Sequence, residues 1–186
     1  EKGTAMHEAL ASVWHHKDQS EASIAATIAR SVKAYFDRSL LPLFEKDPAV
    51  EELLANAPEV ACALLPLFAL KGQVAIEKSV KIAYEGRYGK QNINIPLHGK
   101  LDVVVDDGNK TRVFDYKTKE AMSVKAIKGE TKNDDGNYFR QLVFYTILLE
   151  GSSGYKNKEI EQALVFIKPD SQGRCPIISL PIMKSD

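Results

Sequence analysis

Asp115 and Lys117 stand two residues apart in the stretch RVFDYKTKE (112–120), among Val113, Phe114 and Tyr116. In a strand the side-chain period is two, so the acid and the base project from one face while Phe114, Tyr116 and Thr118 point to the other. Such a pair serves either as a salt bridge on a solvated sheet face or as a carboxylate and an ammonium aimed at one substrate group. A second acid, Asp102, lies thirteen residues earlier, on the far side of an Asp107-Gly108 turn signal. Leu101, Val103 and Val105 occupy one face of its strand and leave Asp102 on the other, so a hairpin can bring it beside Asp115. Two carboxylates at close range repel unless a cation lies between them. Such a pair either has a raised pKa or binds a hard divalent metal. With a lysine added, the set matches the needs of phosphodiester hydrolysis: Mg²⁺ polarises a phosphate oxygen and lowers the pKa of water, and the ammonium positions the nucleophile and offsets developing charge.

The elements that must carry these residues can be read from hydrophobic period. Residues 4–14 place Met6, Leu10, Val13 and Trp14 at helical spacing, with Thr4 as a cap and His7 on or beside the inner face. Residues 20–44 carry Ile24, Ile28, Val32 and Tyr35 on one helical stripe. Asp47, Pro48, Glu51 and Glu52 read as a cap, a first-turn proline and acids that favour a helix start, with a helix interrupted near Pro58 and Pro66 running toward Gly72. The period then becomes two over 74–86 and 94–107, and with 112–120 these give three antiparallel strands. Residues 121–137 are polar and read as a loop. Residues 138–151 form a helix with Gly151 just past its end, and 162–169 and 175–182 form two more strands.

The chain has 186 residues with 25 basic and 25 acidic side chains, so net charge gives no sign of a polyanionic partner. Its length suits one domain, with 1–72 mainly helical and 73–186 the sheet core. The start at Glu1, without Met and directly into a patterned helix, is how a domain cut from a longer polypeptide reads. Cys62 and Cys175 lie far apart in apolar surroundings and read as packing residues in a reducing, cytoplasmic setting. No apolar run approaches the ~20 residues of a membrane span, and there is no signal-peptide pattern.

With Asp102, Asp115 and Lys117 in this order, the hairpin resembles the PD-(D/E)xK nuclease superfamily. GTAMH (3–7) and QLVFY (141–145) are similar to the G-T-x-x-H and Q-x-x-x-Y of its RecB-like branch. Gln141 and Tyr145 are one helical turn apart and share a face. The resemblance extends over residues 3–145 and implies an α/β (α+β) restriction-endonuclease-like fold: helices, a three-stranded antiparallel meander, then a helix and further strands in a mixed central sheet. It further implies a DNA nuclease, dependent on Mg²⁺ or Mn²⁺, with His7, Asp102, Asp115 and the backbone carbonyl of Tyr116 as metal ligands. Lys117 would orient or activate the attacking water, and Gln141 and Tyr145 would brace the site and contact the nucleic-acid strand.

Domains with this motif set sit at the C-terminus of superfamily 1 helicases, and residues 127–150 resemble the terminal domains of UvrD-like helicases. The resemblance thus implies an exonuclease module of DNA repair or recombination, working on single strands or duplex ends delivered by a helicase region. Two departures narrow it. Two cysteines in place of four predict no iron-sulfur cluster, and without a G-x-x-x-x-G-K-[ST] loop the chain should not hydrolyse ATP. Lys119, Lys125, Lys128, Lys132 and Arg140 are available for DNA, diluted by Glu120, Glu130, Asp134 and Asp135, which predicts weak, salt-sensitive binding. The reading from another class is a non-catalytic nucleic-acid-binding or docking module on the same fold. Glu77, on the strand before Asp102, could support the metal ligands from behind but reads rather as a solvated strand acid, His15 and His16 read as surface residues, and Trp14 as core.

Overall fold

The computed structural model describes residues 1–16 and 18–182. Four helices come first: α1 (Lys2–Trp14), α2 (Glu21–Arg38), α3 (Leu43–Ala55) and α4 (Ala57–Phe68). Helix α2 starts where Ser20 accepts the N–H of Ser23 at 3.3 Å, satisfying one of the donors a helix start leaves open. Its apolar stripe is Ile24, Ile28, Val32 and Phe36, all at most 1% exposed. Each such side chain contributes roughly 1.5–3 kcal/mol of transfer free energy. Phe36 takes the place expected for Tyr35, because it continues the i, i+4 spacing from Val32; Tyr35 instead donates to Glu1.

Helix boundaries differ from expectation for local reasons. Helix α1 begins at Lys2 with Glu1 at the cap, so Thr4 is inside it. Helix α2 stops at Arg38, ahead of Pro42, and α3 begins at Leu43 rather than near Asp47. Pro48 lies within α3 and deletes one bond of its ladder. The break between α3 and α4 falls at Asn56, two residues before Pro58, and Pro66 lies inside α4.

Five strands form one mixed sheet in the order β1 (Gln73–Tyr88), β2 (Gln91–Asp106), β3 (Lys110–Lys117), β4 (Glu159–Phe166), β5 (Ile177–Leu180). The first three are antiparallel. Between β3 and β4 come a short helix, α5 (Val124–Ile127), inside the stretch read as a loop, and α6 (Asn137–Gly151). Gly151 is the last residue of α6 rather than the one after it.

The chain divides into two compact units. One holds Glu1–Leu70, Tyr116–Ala121 and Leu164–Ile177; the other holds Lys71–Asp115, Met122–Ala163 and the segment beginning at Ile178. Helices α1, α2 and α4 supply the core of the first through Met6, Leu10, Ile28, Val32 and Leu64. In the second, Leu101, Val103, Val113, Leu142 and Leu148 are fully buried.

Candidate active site

In the second unit, β1 and β2 pair continuously from Gln73↔Asp106 to Tyr88↔Gln91 except at Glu77, which stands opposite Asp102. Glu77 has φ 52°, a left-handed backbone that a non-glycine residue adopts at a cost of order 1–3 kcal/mol. The twist takes one rung out of the ladder and leaves a Glu77 carboxylate oxygen within 4.8 Å of one from Asp102. Glu77 is half-buried and also pairs with Lys100. It is thus a partly exposed, lysine-paired strand acid that also stands beside Asp102. The β1–β2 register, closed by the turn between Tyr88 and Gln91, puts 77 across from 102.

Strands β2 and β3 pair from Asp106↔Thr111 to Val103↔Phe114 and no further. The next positions in register are Asp102 and Asp115, so the ladder ends one residue before the two acids. Apolar positions on both strands hold the pair together up to that point: Val103, Val104, Val105 and Val113 are at most 1% exposed.

Asp115 is 2% exposed. Its Oδ1 accepts the hydroxyl of Tyr145 at 2.8 Å and the amide of Gln141 at 3.1 Å, and the same amide donates to the Tyr145 hydroxyl at 2.7 Å. Both donors come from α6, one turn apart, as a shared helix face requires. Two features set that helix in place. Gly99 on β2 leaves room for Leu148, whose Cδ1 would lie 2.4 Å from any Cβ added there. At the other end Gly136, at φ 71°, caps α6 in a left-handed backbone that favours glycine, and a Cβ there would lie 3.0 Å from the Lys128 carbonyl oxygen. Arg140 donates to Asp135 and Asn137, closing this loop onto the helix start.

Burial pushes the Tyr145 phenol well above its ordinary pKa, and the negative charge of Asp115, the hydrogen bond to it and the charge of Asp102 push the same way. Tyr145 is therefore a neutral donor at physiological pH. Its role toward Asp115 is positional: it fixes the carboxylate's orientation and does not take up protons.

The first unit holds the other predicted residues. Tyr116 is 3% exposed, and its hydroxyl accepts the indole N–H of Trp14 at 2.9 Å. His7, half-buried, lies edge-on to the Tyr116 ring with centroids 6.0 Å apart. Trp14 packs on Phe68 at 4.5 Å and is half-buried, so it is both a packing residue and a polar tie from α1 to β3. Lys117 is half-buried, and its carbonyl accepts the N–H of Ile167 at 2.9 Å. Strand β3 thus carries Asp115 in one unit and Tyr116 and Lys117 in the other, as consecutive residues of one chain.

Lys119, Lys125, Lys128, Lys132 and Arg140 are all exposed. Lys128 lies 5.6 Å from the centre of the Phe139 ring. His15 and His16 are exposed, and His16 contacts Arg30 at 3.0 Å. His98 is exposed and meets Ser79 at 2.8 Å. Cys175 is buried, as a packing residue should be, but Cys62 is exposed on α4.

The donor set suits a hard divalent cation. Asp102 and Glu77 offer carboxylate oxygens at close range, and oxygen ligands are what Mg²⁺ and Mn²⁺ take. No described helix is long and apolar enough to cross a membrane. No curated protein matches the sequence. A sequence model of the PD-(D/E)XK nuclease superfamily matches residues 1–179, nearly the whole chain, and the mixed sheet preceded by helices agrees with the restriction-endonuclease-like fold of that family. The family uses divalent metals, and its fold implies DNA as substrate. The acids at the parted strands and the helix that braces one of them thus lie in a chain that belongs to the PD-(D/E)XK nuclease superfamily.

Proposed function

We propose that this chain is a RecB-like, divalent-metal-dependent deoxyribonuclease module that works as an exonuclease beside a superfamily 1 helicase region in DNA repair or recombination. The observation that carries this reading is the bonding of Asp115 to Gln141 and Tyr145. An unrelated salt-bridged hairpin has no need of a helix that aims two donors at its buried acid.

Asp102 and Asp115, with His7 and the Tyr116 carbonyl, are the proposed metal ligands, and Glu77 adds an oxygen donor beside Asp102. A divalent ion held there supplies Lewis-acid polarisation of the scissile phosphate and activation of water. Lys117 offers an ammonium on the face of Asp115, where it orients the nucleophile and offsets charge as the phosphorane forms. Gln141 and Tyr145 keep the Asp115 carboxylate in one rotamer, so that no reorganisation is needed at the moment of reaction. Attack in line with the leaving 3′-oxygen then severs the phosphodiester bond.

The test is cleavage of end-labelled single- and double-stranded DNA with Mg²⁺ or Mn²⁺, beside Asp115→Ala and Lys117→Ala. Metal-dependent cleavage that both substitutions abolish is the expected result, and a ladder shortening from one end would identify an exonuclease. DNA binding without cleavage at any metal concentration would overturn the reading in favour of a binding module.

A further inference from the structure

The long β1–β2 hairpin runs well beyond the part of the sheet that α6 covers. On one face of the ribbon, Ile82 meets Gly151 and Gly99 meets Leu148. Past that point the same face leaves Tyr84, Ile95 and Tyr88 uncovered, at 43%, 40% and 78% exposure. Charge is also uneven. Residues 78–100 carry Lys78, Lys81, Arg87, Lys90 and Lys100 against Glu85 alone, in a chain whose basic and acidic residues balance overall. All five cations are exposed, and Lys78, Lys81, Arg87 and Lys90 make no ion pair among the described residues.

The two-residue period decides where this charge points. Counting from Asp102, Lys100, His98, Asn94 and Asn92 share its face of β2. Their cross-strand partners Ser79, Lys81, Glu85 and Arg87 lie on that face too. It is therefore a polar, net basic stripe that starts at a candidate catalytic acid and ends at a groove of about 590 Å³ lined by Glu85, Gly86, Arg87, Asn92, Ile93 and Asn94. At about 3.3 Å per residue, the ten steps from Asn92 to Asp102 span roughly 33 Å.

We infer that this hairpin is a nucleic-acid-binding arm: its basic stripe tracks the backbone of a single strand toward Asp102. The inference rests on the nuclease reading for the kind of partner. The match is one of charge and shape, a cationic track with amide donors along one face of an extended ribbon, as backbone recognition of a single strand requires. Such an arm acts only on strands long enough to reach it from the acids.

The experiment is fluorescence anisotropy of labelled oligo-dT in EDTA across a salt series. It compares the unaltered chain with a triple variant, Lys81→Ala with Arg87→Ala and Lys90→Ala. A control removes three exposed lysines elsewhere, Lys33→Ala with Lys71→Ala and Lys156→Ala. For a strand of about 30 nucleotides the arm variant should bind about tenfold more weakly, and its salt slope should fall by about two, since each phosphate contact on a single strand contributes about 0.7. Equal losses in arm and control variants, an unchanged salt slope, or no binding by the unaltered chain at low salt would each overturn the arm. Cleavage under Mg²⁺ or Mn²⁺ is scored separately. Arm-dependent binding without cleavage defeats the nuclease reading and leaves the arm standing, whereas cleavage with arm-independent binding does the reverse.

Discussion

The two ends of the β2–β3 pair are both rich in carboxylates, and they handle them in opposite ways. At the turn end, Asp107 accepts the backbone N–H groups of Asn109 and Lys110 and the guanidinium of Arg112 at 2.8–3.1 Å. Asp106 pairs with Lys158 at 2.5 Å, and Lys110 with Glu159 and Glu161 at 2.9 Å. These acids lie near water beside cations, and they close a turn. At the other end the ladder stops, Asp115 is buried, and the donors sent to it by α6 are a phenol and an amide. Burying a carboxylate costs free energy, which those hydrogen bonds offset in part; a metal ion or a substrate phosphate facing the acid would offset it further. Acids alone do not make a site; burial and the absence of a rung between Asp102 and Asp115 set this end apart.

The largest test of that contrast is Asp115→Ala beside Asp107→Ala. The first should lower metal-dependent cleavage by at least about 10²–10³-fold, as loss of a preorganised electrostatic group does. The second should leave cleavage unchanged while lowering the melting temperature, because its partners are those of the turn. Equal loss of activity in both would erase the distinction.

Removing the bracing hydroxyl is expected to cost less. Tyr145→Phe should reduce activity about 10–100-fold, the usual range for a group that orients a ligand, with the loss in kcat rather than KM. It should also destabilise the fold by about 1–3 kcal/mol, since a buried carboxylate loses a donor. The pH dependence follows from the raised phenol pKa. A group whose folded pKa exceeds its ordinary value of 10.0 contributes stability that is complete below that pH and declines as pH rises through the folded value. The stability gap between the unaltered protein and Tyr145→Phe should therefore narrow above about pH 10, as paired thermal melts would reveal.

Glu77→Gln probes the strained residue across from Asp102. If its carboxylate shares a cation with Asp102, the Mn²⁺ concentration for half-maximal cleavage should rise roughly 10-fold or more. An unchanged metal titration would leave Glu77 only its pairing with Lys100.

The smallest effect belongs to the turn end. Burial pushes Asp106 up, but hydrogen bonds from Lys158 and the Gly108 N–H, with the lysine's charge, hold it below its ordinary 3.8. Its contribution is present above that pH and is lost as pH falls through the depressed value. Lys158→Met should cost about 0.2–1 kcal/mol near neutrality and flatten the acid limb of the stability profile. Activity should not change.

The contrast also explains what could be read in advance. The Asp107-Gly108 turn was legible because its partners lie within five residues, and Gln141 with Tyr145 because a helix puts i and i+4 on one face. The alternation around Asp102 and Asp115 showed which side of each strand they occupy. The place of Glu77 beside Asp102 depends on the pairing of β1 with β2 and on a backbone twist that its neighbours do not signal. The basic arm escaped notice for a similar reason. Its cations are scattered along two strands and become a stripe only once those strands are paired, which is also when the apolar face is seen to run out from under α6.

By itself, then, the amino-acid sequence determined which residue types recur at periods of two and 3.6, hence the strands, the helices, and the faces on which the acids, the lysine and the Gln-Tyr pair stand. Those are consequences of local backbone geometry. Only the tertiary structure decided that the β2–β3 ladder ends short of Asp102 and Asp115, that Tyr145 is buried against Asp115 as a neutral donor, and that Glu77 is twisted toward Asp102. Each of these depends on contacts between residues 13 to 30 positions apart, whose free energies are settled by packing and desolvation rather than by any residue's immediate neighbours in the chain.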